Sequence, residues 1–192
     1  MNEQIANRYK VKQFSSIDLF NTNIQLDKQD LNILYLNAGL VRNKIDKLEA
    51  YVAQIKRETH IIMVTETWVD EHEKPYYNLP GYNVVYSSQT KKGGGGCAIF
   101  CRNNLTTNVT KDIERNNINY ILVFVQELKT SFAAIYNPSN KNDNVRNTMQ
   151  ILEEELCKQT KPTWIIGDLN IDLLKNSNSE RQYRDLLLAI KI

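Results

Sequence analysis

Short apolar runs, and the places where helical spacing interrupts them, constrain this chain most. LNILYL (31–36) and HIIMVT (60–65) each read as a strand. Between them Ile45, Leu48, Val52 and Ile55 recur at spacings of three, four and three, the period of an amphipathic helix. Strand, helix, strand is the mark of a parallel crossover. Four further runs follow with no helical period between them: YNVVY (82–86), CAIFC (97–101), YILVFVQ (120–126) and SFAAIY (131–136). Their succession predicts antiparallel pairing. Helical spacing returns at Val145, Met149, Leu152 and Leu156. TWIIG (163–167) then reads as a buried strand that breaks at Gly167. A last helix is expected from a capping box, Ser179 with Gln182, and an apolar stripe at Tyr183, Leu186, Leu187 and Ile190. Mixed strands with helices on their outer faces predict an α/β sandwich of two sheets.

At 192 residues the chain suits one sizeable core, placed from Leu31 to residue 192. Residues 1–30 are polar with balanced charges and read as an N-terminal extension, with a short element near Ile17 to Phe20. The formal charge of +2 is too small to announce a nucleic-acid binder, yet a local basic groove can sit on a near-neutral chain. No run approaches membrane-span length, and MNEQIANRYK lacks the apolar core of a signal peptide. An intracellular, non-membrane protein is expected, with the sequons at Asn104 and Asn108 unused. Cys97, Cys101 and Cys157 read as buried reduced thiols, since a zinc site would need further ligands nearby.

Polar residues collect where the apolar runs end. LNILYL ends at Asn37, HIIMVT at Glu66, SFAAIY at Tyr136, and TWIIG at Asp168 and Asn170. Taken singly, each has a plain structural use: a turn-forming Asn, a solvated Glu, an Asx turn at Gly-Asp-x-Asn, a packed Tyr. Taken together at one sheet edge, they would form a site of carboxylates, amides and a phenol. Such a set suits hard oxygen chemistry. Glu66 with the amide oxygen of Asn37 is a sparse ligand set. Magnesium accepts that, because it keeps waters and takes oxygens from a phosphate substrate. Asp168 would then orient or deprotonate an attacking water. Asn170 would donate to a phosphate oxygen, and Tyr136 would do the same or stabilise a leaving group as phenolate.

Five segments in this order, LNAGLVRNKIDKLEAYV (36–52), HIIMVTETWVD (60–70), GGGGCAIFCR (93–102), AIYNPSN (134–140) and WIIGDLNID (164–172), carry a resemblance. From about Leu31 onward the chain resembles the endonuclease/exonuclease/phosphatase superfamily, and within it the apurinic-type endonuclease domain of non-LTR (LINE-like) retrotransposons. The resemblance implies a four-layer, DNase I-like sandwich of two mixed β-sheets flanked by helices, and Mg²⁺- or Mn²⁺-dependent phosphodiester hydrolysis. It implies Glu66 as principal metal ligand with Asn37 in the same network, Tyr136 on the scissile phosphate, Asp168 positioning or activating the nucleophile, and Asn170 helping to hold Asp168 and the phosphate. In that branch the reaction nicks target DNA in the nucleus, and the freed 3′-hydroxyl primes a reverse transcriptase of the same polyprotein. The family pattern continues past the Gly-Asp-x-Asn helix into strands carrying a Ser-Asp-His motif. This sequence ends at Ile192, and neither His60 nor His72 occupies that position. A domain lacking its last strands is therefore expected. A silent scaffold or interaction remnant, and a phosphatase for a lipid or small-molecule phosphate, are the competing readings. Gly93 to Gly96 precede a strand without Gly-Lys-Ser/Thr, so they read as a hairpin or bulge rather than a phosphate loop. Lys91, Lys92 and Arg102 flank them as a solvated turn or as contacts to a DNA backbone.

Overall fold

The structure, a computed structural model, describes residues 14–24, 30–88, 94–139 and 141–189. In the first sheet β1 (Ile33–Asn37), β2 (Ile61–Thr65), β3 (Tyr82–Tyr86) and β4 (Cys97–Arg102) take the order β1-β2-β4-β3. Helix α1 (Ile17–Asn23) precedes them, and α2 (Ile45–Gln54) joins β1 to the parallel β2. In the second sheet β5 (Thr107–Arg115), β6 (Ile118–Val125), β7 (Thr130–Tyr136) and β8 (Thr163–Asp168) lie in sequence order. Helix α3 (Asn142–Leu156) joins β7 to the parallel β8, and α4 (Asn178–Ala189) follows. All other pairings are antiparallel. Each sheet is thus mixed.

Alternation along the strands builds the layers, because successive side chains leave a strand on opposite faces. Ile61 and Met63 of β2, Ile99 of β4, Ile121 and Val123 of β6, and Phe132 and Ala134 of β7 meet between the sheets. The intervening Ile62, Val64, Ala98 and Phe100 face outward against Leu48 and Val52 of α2. On the other side Tyr120, Leu122, Ala133 and Ile135 pack against Ile151 and Leu152 of α3 and Leu186 of α4. Helix, sheet, sheet, helix is the four-layer α/β sandwich that the resemblance implies. Helix α1 buries no residue, but Asn21 ties it to the end of α2. Its amide donates to the Gln54 carbonyl at 2.8 Å, and its oxygen accepts from the Lys56 N–H at 3.0 Å.

Several expectations need correction. TNVTKDIER, the strand β5, was not foreseen: it is a mostly exposed edge strand, so no alternation marks it, and the backbone ladder to β6 holds it. TWIIG is an edge strand too, with Trp164 52% exposed, rather than a buried one. It does not break at Gly167 but runs on through Asp168. Gly167 is there for close approach: opposite Ile135, a Cβ would stand 1.8 Å from the Ile135 carbonyl oxygen. The cap of α4 is Ser177, whose Oγ accepts from the Glu180 N–H at 3.2 Å, while Ser179 lies inside the helix. Ile190 lies outside the described residues. Cys97 and Cys101 are buried free thiols as expected, but Cys157 is exposed just past α3. Arg102 sits at the far end of β4 from Gly95 and Gly96, pairing with Glu58 at 3.3 Å and lying over the Tyr82 ring. Lys91, Lys92 and Gly93 lie outside the described residues. Among the described residues no helix is long and apolar enough to cross a membrane.

Candidate active site

Beyond Asn37 and Thr65 the chains of β1 and β2 stay zipped. Ala38 N–H donates to the Thr65 carbonyl at 2.9 Å, Leu40 to Glu66 at 2.9 Å, and Val41 to Thr67 at 3.0 Å. Glu66 and Trp68 adopt left-handed backbone, φ +55° and +51°, and turn this segment over the sheet edge. Non-glycine residues reach such angles only where the surroundings over-determine them. Here the β3–β4 loop does so: Trp68 N–H donates to the Gly95 carbonyl at 2.9 Å and Thr67 N–H to Gly96 at 3.3 Å. Gly95 itself has φ +85°, and a Cβ on it would stand 2.8 Å from Asn119 Oδ1 and 3.5 Å from the Tyr136 ring. Arg42 clamps the loop from outside, bonding the Trp68 carbonyl at 3.1 Å and Glu73 at 2.8 Å.

The second sheet supplies the facing wall. Asn119, Tyr136 and Asp168 are cross-strand partners on β6, β7 and β8, one lateral row at the sheet end. Buried Asn119 accepts from the Gly96 N–H at 2.8 Å and donates to the Ser88 carbonyl at 3.2 Å. Past the row, fully buried Asn137 knots the ends of β7 and β8. Its N–H donates to the Asp168 carbonyl at 2.8 Å, its amide to the Leu169 carbonyl at 2.8 Å, and its own carbonyl accepts from Asn170 Nδ2 at 2.6 Å. Asn170 N–H closes an Asx turn on Asp168 Oδ1 at 2.9 Å.

The two walls meet at Asn37. Its Nδ2 donates to Glu66 Oε1 at 2.6 Å and to Asp168 Oδ2 at 3.1 Å, while its Oδ1 accepts from the Gly39 N–H at 3.1 Å. The structure therefore brings Asn37, Glu66 and Asp168 into direct contact. Tyr136 joins through the lateral row, and Asn170 through Asp168 and Asn137. Burial pushes the Tyr136 phenol up to about 12, helped by the negative charges of Glu66 and Asp168. A second phenol, Tyr35, shares those causes and bonds Thr65 Oγ1 at 3.0 Å. Tyr136 thus stays protonated near neutral pH. An open cleft of about 630 Å³ runs from Gly167 to Lys175, lined by Asp168, Asn170 and Asp172.

Sequence reasoning missed Gly95, Gly96, Asn119, Asn137 and Tyr35. Asn137 carried a readable signal, since it is an amide at the end of an apolar run, as Asn37 is.

The donor set fits a divalent cation. Glu66 and Asp168 share one amide donor, and neither forms an ion pair among the described residues. Glu66 Oε2 takes no hydrogen bond there. Two neighbouring carboxylates without a cation favour a positive guest. The ligands are oxygens alone, as magnesium or manganese prefers. No group of three His, Cys, Asp or Glu gathers anywhere among the described residues, so any ion would rest on a sparse set completed by water and substrate. Asn37 Oδ1 accepts one bond from Gly39 and keeps a second lone pair, so it and Glu66 Oε2 are the ligand atoms that this pair offers.

Solved structures show the same fold. An AP endonuclease from Archaeoglobus fulgidus aligns over 83% of this chain and 71% of its own, with TM-score 0.59 and 17% identity. AP endonuclease LMAP from Leishmania major aligns over 99% and 78%, with TM-score 0.63 and 12% identity. The 3′ phosphatase NExo from Neisseria, bound to product DNA hairpin, aligns over 84% and 71%, with TM-score 0.57 and 18% identity. At these identities the likeness is one of fold. No curated protein matches the sequence. A family model, however, matches residues 23–188 and spans all eight strands and the strand-end cluster: the chain belongs to the Endonuclease/Exonuclease/phosphatase family.

Proposed function

We propose that this chain is a divalent-metal-dependent phosphodiesterase that nicks DNA, the endonuclease of a non-LTR (LINE-like) retroelement. The observation that carries the reading is the Asn37 amide spanning Glu66 and Asp168, two carboxylates from two sheets with no ion pair of their own. A Mg²⁺ or Mn²⁺ ion would neutralise charge on the phosphoryl oxygens. Glu66 would hold it through Oε2, with Asn37 fixing the other carboxylate oxygen. Asp168, oriented by Asn37 at one oxygen and by the Asn170 N–H at the other, keeps lone pairs free to take a proton from water. Tyr136 donates its phenol proton to a phosphate oxygen. Asn170 bonds the Asn137 carbonyl, so its part is to hold Asp168, with its second amide hydrogen left for phosphate. The retroelement assignment is supported by the ordered segments from LNAGL to GDLNID. In that setting the substrate is nuclear DNA and the product 3′-hydroxyl primes a reverse transcriptase of the same polyprotein.

Supercoiled plasmid with Mg²⁺ tests this, beside Glu66→Ala and a chelated control. Nicked circles from wild type alone are the expected result. Equal nicking by Glu66→Ala, or no nicking by any form, rejects the proposal. In the second case hydrolysis of a lipid or sugar phosphate separates a phosphatase from a silent scaffold.

A further inference from the structure

The segment after Asn37 holds a cation that no role yet uses. Lys44 follows the turn Val41–Asn43 and caps α2, and its Nζ donates to the Ala38 carbonyl. A Cβ on Gly39 would stand 3.5 Å from Lys44 Nζ and 3.9 Å from Glu66 Oε2. Ammonium and carboxylate thus flank one point over Gly39, open because that residue has no side chain. Among the described residues they do not close into an ion pair, and one of the three ammonium protons is engaged there. Arg42, by contrast, is already bound to Glu73 and the Trp68 carbonyl.

Charge counting says what the gap suits. Glu66 and Asp168 bring −2, which one divalent ion cancels. The −1 of a phosphodiester is then uncompensated, in a place where two carboxylates face it. Lys44 is the cation beside that gap. We infer that Lys44 is a cationic contact to a DNA phosphate, seated over Gly39 beside Glu66. The inference rests on the DNA-nicking reading above and names a residue through which that site would hold its substrate.

Binding of a fluorescein-labelled DNA duplex, followed by anisotropy with Ca²⁺ in place of Mg²⁺ across a salt series, tests it apart from turnover. Lys44→Met should bind roughly tenfold more weakly at 0.1 M salt, with the slope of log K against log salt shallower by about one, the mark of one lost phosphate contact. Lys44→Gln keeps a donor for the Ala38 carbonyl and loses only the charge, so a matching loss assigns the effect to charge rather than fold. Lys44→Arg should keep both affinity and slope. Thermal unfolding checks that all three variants fold. In plasmid nicking the two neutral variants should raise KM more than they lower kcat. Wild-type affinity and slope in Lys44→Met and Lys44→Gln, with nicking by wild type intact, overturn the inference and leave the nuclease reading standing. A wild-type protein that neither binds duplex nor nicks plasmid overturns both.

Discussion

At the scale of single residues, the site depends on one amide serving two acids. Asn37 reaches both carboxylates because it leaves β1 where β8 ends opposite it. Asp168→Ala should abolish nicking while Mn²⁺, read by isothermal titration, still binds through Glu66, more weakly for want of the second carboxylate. Unchanged turnover would remove Asp168 from the reaction. Tyr136→Phe deletes one donor and keeps the ring that packs against Gly95. Turnover should fall by about 10² to 10³ with the melting temperature held, the usual effect of losing one positioned donor. The five residues that end the apolar runs were legible in the sequence, because strand ends and polar residues are both visible there. Asn119 and Gly95 were not. They act on Tyr136 and Trp68 through strand register and a left-handed loop, neither of which spacing along the chain reveals.

Elements set the frame in which those residues meet. β8 must lie close enough to β7 for Tyr136 and Asp168 to be neighbours, and Gly167 permits it. Gly167→Ala should fail to give folded, soluble protein, because its methyl would collide with backbone rather than with a side chain that can move. A native circular dichroism spectrum and melting curve would refute this. Ser177→Ala should cost about 1 kcal/mol, the usual loss of an N-cap, measured by denaturant titration, whereas Ser179→Ala should cost less. The runs with clear alternation or helical period fall on the strands and helices that the described residues show, with Ile55 just past its helix and Ile190 outside those residues. β5 escaped because an exposed edge strand needs no apolar face. The cap of α4 was set two residues late because the segment from Ser177 to Gln182 offers two Ser-x-x-acid/amide patterns.

On the scale of the whole molecule, the core is rich in groups that resist ionisation. Burial pushes the thiol of Cys97 upward and that of Cys101 to about 12, and raises the phenols of Tyr82, Tyr86 and Tyr120. The folded chain therefore keeps protons that the unfolded chain releases. Their contribution is complete well below the ordinary thiol value of about 9, where unfolded thiols are still protonated, and is lost as pH rises from there toward the raised folded values. Stability should fall by roughly 1.4 kcal/mol per pH unit for each thiol fully ionised in the unfolded state. Melting curves from pH 8 to 10.5 check the sign; a constant or rising melting temperature contradicts it. The first sheet is drawn wholly from residues 33–102 and the second from residues 107–168. As the chain is synthesised, the half bearing Glu66 is complete before the half bearing Asp168 has left the ribosome. A cut within residues 103–106 would yield two pieces, one holding Glu66 and the other Asp168. Any activity recovered on mixing them would count the pairs that had found each other.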